Sequence, residues 1–348
     1  RRRDPITQFI HQDPSRDSVW RAIVLFGQNS ACYKFALAQT LIEVGRTGVS
    51  SISLNDLALP FAEKVCQHLD LADRQGTSLT STPLKACRRF NAGDITKSQL
   101  TDKIAKFGFV NVIDAFHVLR DYPAGFRFFH DDRKGSSKGI ILTDELHALV
   151  TEQDSEILDA EVDGRWRLVE TAWELGIGSH HLEVDDVSQD IFVTESHRRR
   201  SVTSVRQALN GYQKGQCFYC GQTLNWTEVK TSSALEVDHF YPWALERYDF
   251  QNLNGIWNLV LACHDCNAGV GGKFAELAGL EYLERLSRRN DYLIESHHPL
   301  RETLMNQTGK TSKLRHDFLQ TLDASAVRTL GVMRHQRWET EPKDRLRF

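Results

Sequence analysis

Four of the seven cysteines form two C-x-x-C pairs, Cys217 with Cys220 and Cys263 with Cys266. Each C-x-x-C turn places two thiolates on one tight loop, so two turns can supply the four soft ligands of a structural zinc site. In a reducing compartment this pattern favours metal binding over disulfides, and the alternative is two buried or redox-active pairs. The sequence therefore predicts a Zn2+ ion held by these four cysteines. The other three cysteines lie in apolar helical sequence and are expected to be buried.

The segment between the two pairs carries a second group of polar residues. The alternating pattern of Leu235–Pro242 predicts a strand that carries Asp238 and His239 near its end. The apolar segment Trp257–Ala262 follows, and it leads directly into CHDCNAGVGGK, residues 263–273. On a regular strand two adjacent side chains point to opposite faces, so Asp238 and His239 can serve one site only if the strand ends or bulges there.

In this order of motifs the chain resembles the HNH endonuclease family. That family's pattern is two zinc knuckles around a DH-x-x-P hairpin, with a central Asn and a C-x-x-C-N helix start. The resemblance covers the segment from Cys217 to Lys273. It implies a ββα-metal domain that hydrolyses phosphodiester bonds of DNA with the help of a divalent metal ion.

The resemblance also implies roles for individual residues. His239 takes the place of the general base, which accepts a proton from the attacking water. Asp238 and the side-chain oxygen of Asn267 are the expected ligands of Mg2+ or Mn2+, which prefer oxygen. Asn258 takes the place of the central Asn, whose amide ties the hairpin loop together and orients the histidine. The last position of the motif is Asn267 rather than His, a variant that suits a hard metal ion.

Other polar residues of this region have both a functional and an ordinary interpretation. Glu236 is either an indirect partner of the hard metal ion or an exposed strand residue. His264 could replace one cysteine as a zinc ligand, and His297-His298-Pro299 could return a further metal ligand or hold structural histidines. The candidate nucleic-acid contacts, each of which could instead be a solvated charge, are Lys273, Arg247, Arg198, Arg199 and Arg200.

The pattern of apolar residues predicts an α+β protein that is mainly helical. We expect a helical N-terminal domain over 1–195 for substrate or partner recognition, an HNH nuclease domain over 196–300 and a basic, helical C-terminal extension over 301–348. Helical spacing of apolar residues runs through Asp17–Val44 and Leu54–Leu69, and further predicted helices are Thr96–Leu119, Glu156–Leu175 and Arg206–Gln213. The other predicted features are strands Phe126–Phe129 and Gly139–Leu142, an N-cap at Thr143 and a linker over Gly176–Asp190.

Charge is distributed unevenly along the 348 residues, whose net charge is -3. Residues 144–195 contain 15 acidic and two basic side chains, whereas 301–348 contain 10 basic and six acidic ones. Any attraction to nucleic acid must therefore come from a local patch. No apolar run has the length of a membrane span or a signal peptide, so we expect a cytoplasmic protein.

The leading hypothesis is an endonuclease that cuts one strand per active site, as a nickase when monomeric and through both strands when dimeric. The sequence leaves the oligomeric state open. Segments such as RWRLVETAWELGI are similar to bacterial HNH proteins that accompany anti-phage defence operons, including Zorya-type systems, which implies foreign DNA as substrate and defence proteins as partners. One alternative is a zinc-braced nucleic-acid binding module with a degenerate site. Another is a regulated subunit in which residues 144–195 mimic DNA.

Overall fold

The computed structural model describes residues 4–26, 31–76, 81–119, 122–123, 126–151, 155–175, 182–185, 188–195, 198–229, 231–296 and 298–348. The chain divides into two compact units, Arg1–Gly176 and Ile177–Phe348. Helices predominate and the sheets are small, which confirms a mainly helical α+β protein. The division into three segments at 195 and 300 stays a prediction. Among the described residues, no helix combines the length and apolar character that crossing a bilayer requires.

The first unit is built mainly of helices around an aromatic core. Its helices are α1 Pro5–Gln12, α2 Arg16–Leu25, α3 Tyr33–Gly45, α4 Leu54–Leu71, α5 Thr82–Asn91, α6 Lys97–Phe107, α7 Val112–Ala115, α8 Asp144–Thr151 and α9 Ser155–Leu175. Its strands are β1 Ser51–Ser53, β2 Val118–Leu119, β3 Tyr122–Pro123, β4 Phe129–Asp132 and β5 Gly139–Leu142. Strand β5 pairs with β1 and β4, and β2 pairs with β3. The largest side chains of the core include Trp20, Phe35, Phe61 and Trp166.

Several predictions for the first unit are confirmed and others need correction. Helices α4 and α9 and strand β5 lie where the periodicity places them, and Thr143 caps α8 by accepting a hydrogen bond from the Leu146 N–H. The helically spaced segment Asp17–Val44 contains two helices, α2 and α3. The predicted strand Phe126–Phe129 begins only at Phe129, because its pairing with β5 runs from there to Asp132.

The predicted helix Thr96–Leu119 ends at Phe107. The Gly108 N–H closes α6 on the Ile104 carbonyl, and a Cβ at Gly108 would lie 2.8 Å from that same oxygen. Close approach of this kind favours glycine, and glycine is a poor helix former. Leu119 then belongs to strand β2. The apolar pattern therefore continued beyond the end of the helix.

A buried polar cluster joins α4 to α9 inside the first unit. The His68 ring stacks on Trp166 with centroids 3.5 Å apart, and its Nδ1 lies 2.9 Å from Glu170 Oε2. Its Nε2 lies 3.3 Å from Asp163 Oδ1. Burial lowers the pKa of His68, but the hydrogen bonds to Asp163 and Glu170 outweigh it and hold the pKa above its usual value. The imidazole of His68 and the two carboxylates therefore pair with one another inside this unit.

The second unit contains two short sheets and several helices. The strands are β6 Leu182–Val184, β7 Asp190–Glu195, β8 Arg198–Ser204, β9 Leu235–His239 and β10 Leu259–Cys263. The helices are α10 Val205–Gln213, α11 His264–Asn267, α12 Leu280–Glu295, α13 Arg301–Thr308 and α14 Ser312–Leu330, with 3-10 turns at Trp243–Tyr248, Ile256–Asn258 and Arg334–Gln336. Strand β7 lies between β6 and β8, and β9 pairs with β10. The predicted linker Gly176–Asp190 is thus wrong over β6, while residues 176–181 and 186–187 of it lie outside the described residues.

Side chains of two helices in this unit form hydrogen bonds with the backbone of the β9–β10 hairpin and of the turn before β10. Helix α10, which confirms the prediction for Arg206–Gln213, presents the buried Gln213 amide to both backbone groups of Leu261 at 2.8 and 2.9 Å. From α12, the buried Arg289 guanidinium donates to the carbonyls of Leu259 and Trp257, each at 2.9 Å. Polar side chains that look solvated in the sequence therefore hold the hairpin in place.

Candidate functional site

The two C-x-x-C pairs meet in one buried cluster in the second unit. All four side chains are buried, and their Sγ atoms lie within 4.8 Å of one another. Four thiols at this spacing match the tetrahedral ligand set of a structural zinc ion. The alternative ligand His264 is engaged elsewhere, because its Nδ1 lies 2.7 Å from Glu236 Oε1. The four cysteines can therefore hold the metal ion without the histidine.

The first knuckle, residues 217–220, is shaped by backbone hydrogen bonds. The Cys217 N–H donates to Gln222 O at 2.8 Å, and the Phe218 N–H donates to Leu261 O at 2.9 Å. Gly221 closes the turn with φ of +78°, a left-handed conformation that favours glycine. A Cβ there would also collide with the carbonyl of Asp344. The turn therefore depends on glycine for both its conformation and its space.

The C-terminal tail packs on this knuckle. The N–H groups of Lys343 and Asp344 donate to the Cys220 carbonyl at 2.8 and 3.2 Å. The Lys343 ammonium lies 2.9 Å from Asp265 in the second knuckle, and the Trp338 ring packs edge-on against Tyr219. No spacing rule in the sequence predicts these contacts. Part of the segment expected as a basic extension is thus a support of the zinc cluster.

Asp238 lies in the β9–β10 hairpin opposite Val260 and is 5% exposed. Its Oδ2 accepts hydrogen bonds from the phenol of Tyr219 and, at 3.2 Å, from the ammonium of Lys273. Burial raises the pKa of the Asp238 carboxyl, although Lys273 and Tyr219 act in the opposite direction. Within the described residues, Oδ1 has no hydrogen-bond partner. Oδ2 is therefore occupied by two donors, whereas Oδ1 can accept another group.

Lys273 is fully buried, so it is not a surface charge. Its Nζ donates to the carbonyls of His239 and Phe274 at 3.0 and 3.3 Å and pairs with Asp238. These three acceptors use all three N–H groups of an ammonium. The phosphate contact considered for Lys273 would require it to give up one of them. In the folded chain it serves as the internal counter-charge of Asp238.

His239 is the last residue of β9. The strand therefore ends at the Asp238-His239 pair, which is the condition for two adjacent side chains to serve one site. Its Nε2 lies 2.8 Å from Asn254 Oδ1. Since an amide oxygen only accepts, a proton on Nε2 completes this hydrogen bond, and Nδ1 of the same tautomer then offers a lone pair. Sequence reasoning missed Asn254, since nothing about its position in QNLNGIWN distinguishes it from a loop residue.

Asn258 is completely buried and ties the loop after β9 to the start of β10. Its Oδ1 accepts from the Tyr241 N–H at 2.8 Å, and its Nδ2 donates to the carbonyls of Tyr241 and Leu253 at 3.0 and 2.8 Å. Both the oxygen and the nitrogen of the Asn258 amide are therefore engaged within this loop.

Asn267 follows Cys266 at the end of α11, the short helix of the second knuckle. Its Nδ2 donates to Glu236 Oε2 at 2.8 Å, while the other oxygen of Glu236 faces His264. The structure therefore places Glu236 beside an expected metal ligand rather than alone on a strand surface. Asp238 and Glu236 belong to the same face of β9, because they are two residues apart.

The remaining candidates are not brought to this group by any described contact. Arg247 is exposed on the 3-10 turn Trp243–Tyr248, and the side chains of Arg198, Arg199 and Arg200 lie outside the described residues. His297 also lies outside them. His298 is buried, and its Nδ1 accepts from the Leu300 N–H at 3.2 Å, which is the contact of a structural histidine.

Comparison with known proteins finds one family. Residues 217–273 match the family model for HNH endonucleases. No curated protein and no solved structure matched the chain. The chain therefore contains an HNH endonuclease family domain that coincides with the four-cysteine cluster and the β9–β10 hairpin, which confirms the resemblance for this segment.

Replacing Cys217 or Cys266 by Ser should remove the bound zinc and unfold the segment from Cys217 to Lys273, because the binding energy of a structural zinc ion is folding energy for so small a unit. Zinc content by atomic absorption and the rate of limited proteolysis measure the two effects. Cys87→Ser, at a buried thiol outside the cluster, is the control and should keep the zinc. A Cys266→Ser protein with full zinc and unchanged proteolysis would contradict this assignment.

Proposed function

We propose that this protein is a metal-dependent endonuclease that hydrolyses phosphodiester bonds of DNA. The observation that carries the proposal is the arrangement inside the matched segment. A zinc-type cluster fixes a hairpin and a short helix that carry an imidazole, His239, and two oxygen donors, Asp238 and Asn267. Phosphodiester hydrolysis needs a proton acceptor, an oriented water and a cation near the leaving oxygen. The imidazole can accept the proton, and the two oxygen donors can hold the cation.

The oxygen donors fit a hard divalent cation. Asp238 has a carboxylate oxygen outside its bonds to Tyr219 and Lys273, and Asn267 turns its NH2 toward Glu236, so its Oδ1 faces elsewhere. Oxygen donors suit Mg2+ or Mn2+ better than a soft metal ion. When bound, the cation would stabilise the charge on the pentacoordinate phosphorus and the departing 3′ oxygen. Asp238 and Asn267 would hold it, together with phosphate oxygens and water.

His239 is arranged to move a proton. The Asn254 bond at Nε2 leaves Nδ1 as the acceptor for the proton of a water that attacks the phosphorus. Asn258 holds the backbone of the loop that follows His239, which restrains the ring. A binding module without catalysis would have no need for an imidazole oriented by Asn254 on the strand that also carries Asp238. The arrangement therefore favours the enzyme over the binding module.

We place this nuclease in the bacterial cytoplasm, in anti-phage defence. The support is the similarity of its wider sequence to HNH proteins that accompany defence operons, and the substrate would then be foreign DNA. One active site cuts one strand, so a monomer nicks DNA and a dimer breaks both strands. The first unit would recognise the substrate or a partner protein.

Replacing His239 by Ala should reduce cleavage by at least about 100-fold, because the reaction loses its proton acceptor. The measurement is conversion of supercoiled plasmid to nicked and linear forms in Mg2+ and in Mn2+. Zinc content and thermal melting should match the wild type, since the ring is not part of the cysteine cluster. The exposed His335→Ala provides the matched control. Undiminished nicking by His239→Ala would remove the proposed mechanism.

The hard metal ion can be tested through Asp238→Asn, which keeps the shape of a side chain buried beside Lys273 but removes its charge. The concentration of Mg2+ for half-maximal nicking should rise about tenfold or more, a factor that corresponds to about 1.4 kcal/mol of binding free energy. The exposed Asp249→Asn is the control. Cleavage by zinc-loaded wild type in EDTA, or an unchanged Mg2+ requirement in Asp238→Asn, would contradict the assignment.

A further inference from the structure

We propose that Glu236 is a positioning residue, which orients the amide of Asn267 so that its oxygen faces the hard metal ion. The proposal rests on the function proposed above, since it concerns a ligand of that ion. The carrying observation is a pair of bonds: Asn267 Nδ2 to Glu236 Oε2 at 2.8 Å, and His264 Nδ1 to Glu236 Oε1 at 2.7 Å.

The chemistry of the carboxylate determines which way the amide points. An ionised carboxylate can only accept hydrogen bonds, whereas an amide has an accepting oxygen and a donating nitrogen. The NH2 group of Asn267 must therefore face Glu236, and its Oδ1 must face away. With a neutral or apolar side chain at position 236, both orientations of the amide would be open, and one of them presents hydrogens to a cation.

The same carboxylate fixes the second knuckle. His264 and Asn267 are the first and last residues of α11, a helix of four residues that cannot form on its own. Glu236 accepts from both ends of this helix and thereby joins it to strand β9. The carboxylate thus fixes the position of Asn267 relative to β9, the strand that carries Asp238. It also fixes the direction of the Asn267 Oδ1 atom.

Two other roles fit these contacts less well. As a direct metal ligand, Glu236 would have to use an oxygen that already accepts a hydrogen bond, at 2.7 Å from His264 or at 2.8 Å from Asn267. As a purely structural residue it would satisfy buried groups, yet the side chains of His264 and Glu236 are 28% and 25% exposed. Water can satisfy groups that exposed, and such partly exposed pairs contribute little to stability. Orientation of Asn267 remains as the role that needs a carboxylate at this position.

The test replaces Glu236 by Gln, which has one accepting atom and cannot accept from His264 and Asn267 together. Mn2+ binding to zinc-loaded protein, measured by isothermal titration and by the EPR signal of free Mn2+, should weaken about tenfold, within the range seen when a partner of a metal ligand is removed. Zinc content and melting temperature should stay at wild-type values. Glu246→Gln, at an exposed residue of the same unit, should bind Mn2+ like the wild type.

A double-mutant cycle separates orientation from direct ligation. If Glu236 acts through Asn267, Glu236→Gln should add no further loss of Mn2+ affinity in an Asn267→Ala background. An equal loss in both backgrounds would overturn the proposal in favour of direct ligation. Unchanged Mn2+ affinity in Glu236→Gln, beside a wild type that binds Mn2+ and cleaves DNA, would overturn this proposal alone. A wild type that neither binds Mn2+ nor cleaves would overturn the proposed function as well.

Discussion

The constraint on which the rest of the site depends is the convergence of four cysteine sulfurs within 4.8 Å of one another. Four thiolates so close would repel one another without a cation between them, and their spacing suits a structural zinc ion. Each knuckle also carries a residue of the second centre. Tyr219 lies inside the first and donates to Asp238, and Asn267 directly follows Cys266 in the second. Through these residues the soft metal site sets the positions of the oxygen donors.

The buried charge of Asp238 is the second constraint. A carboxylate in an apolar surrounding is costly without partners, and Lys273 and Tyr219 provide them. Burial also raises the pKa of the Tyr219 phenol, which keeps it protonated and able to donate. Lys273 additionally donates to the His239 carbonyl at 3.0 Å. One ammonium therefore links the backbone of the proposed base to the carboxylate of the proposed metal ligand.

Sequence reasoning recovered the parts of this site that depend on local spacing. The two C-x-x-C turns, the strand Leu235–His239 and the family order of motifs follow from residues close together in the chain. Contacts between distant segments could not be read in this way, and they include Tyr219 on Asp238, Asn254 on His239 and the tail from Trp338 onward. For Lys273 the sequence offers a phosphate contact or a solvated charge, and only the fold shows that its ammonium is enclosed.

The proposed function requires two metal ions with separate roles, a structural zinc ion on the cysteines and a catalytic hard ion on Asp238 and Asn267. Anomalous diffraction from crystals of zinc-loaded protein soaked in Mn2+, collected at the zinc and manganese edges, locates each element directly. We expect zinc only among the four sulfurs and manganese only at the oxygens of Asp238 and Asn267. Manganese among the sulfurs, or a single metal position for both elements in a protein that cleaves DNA, would contradict it.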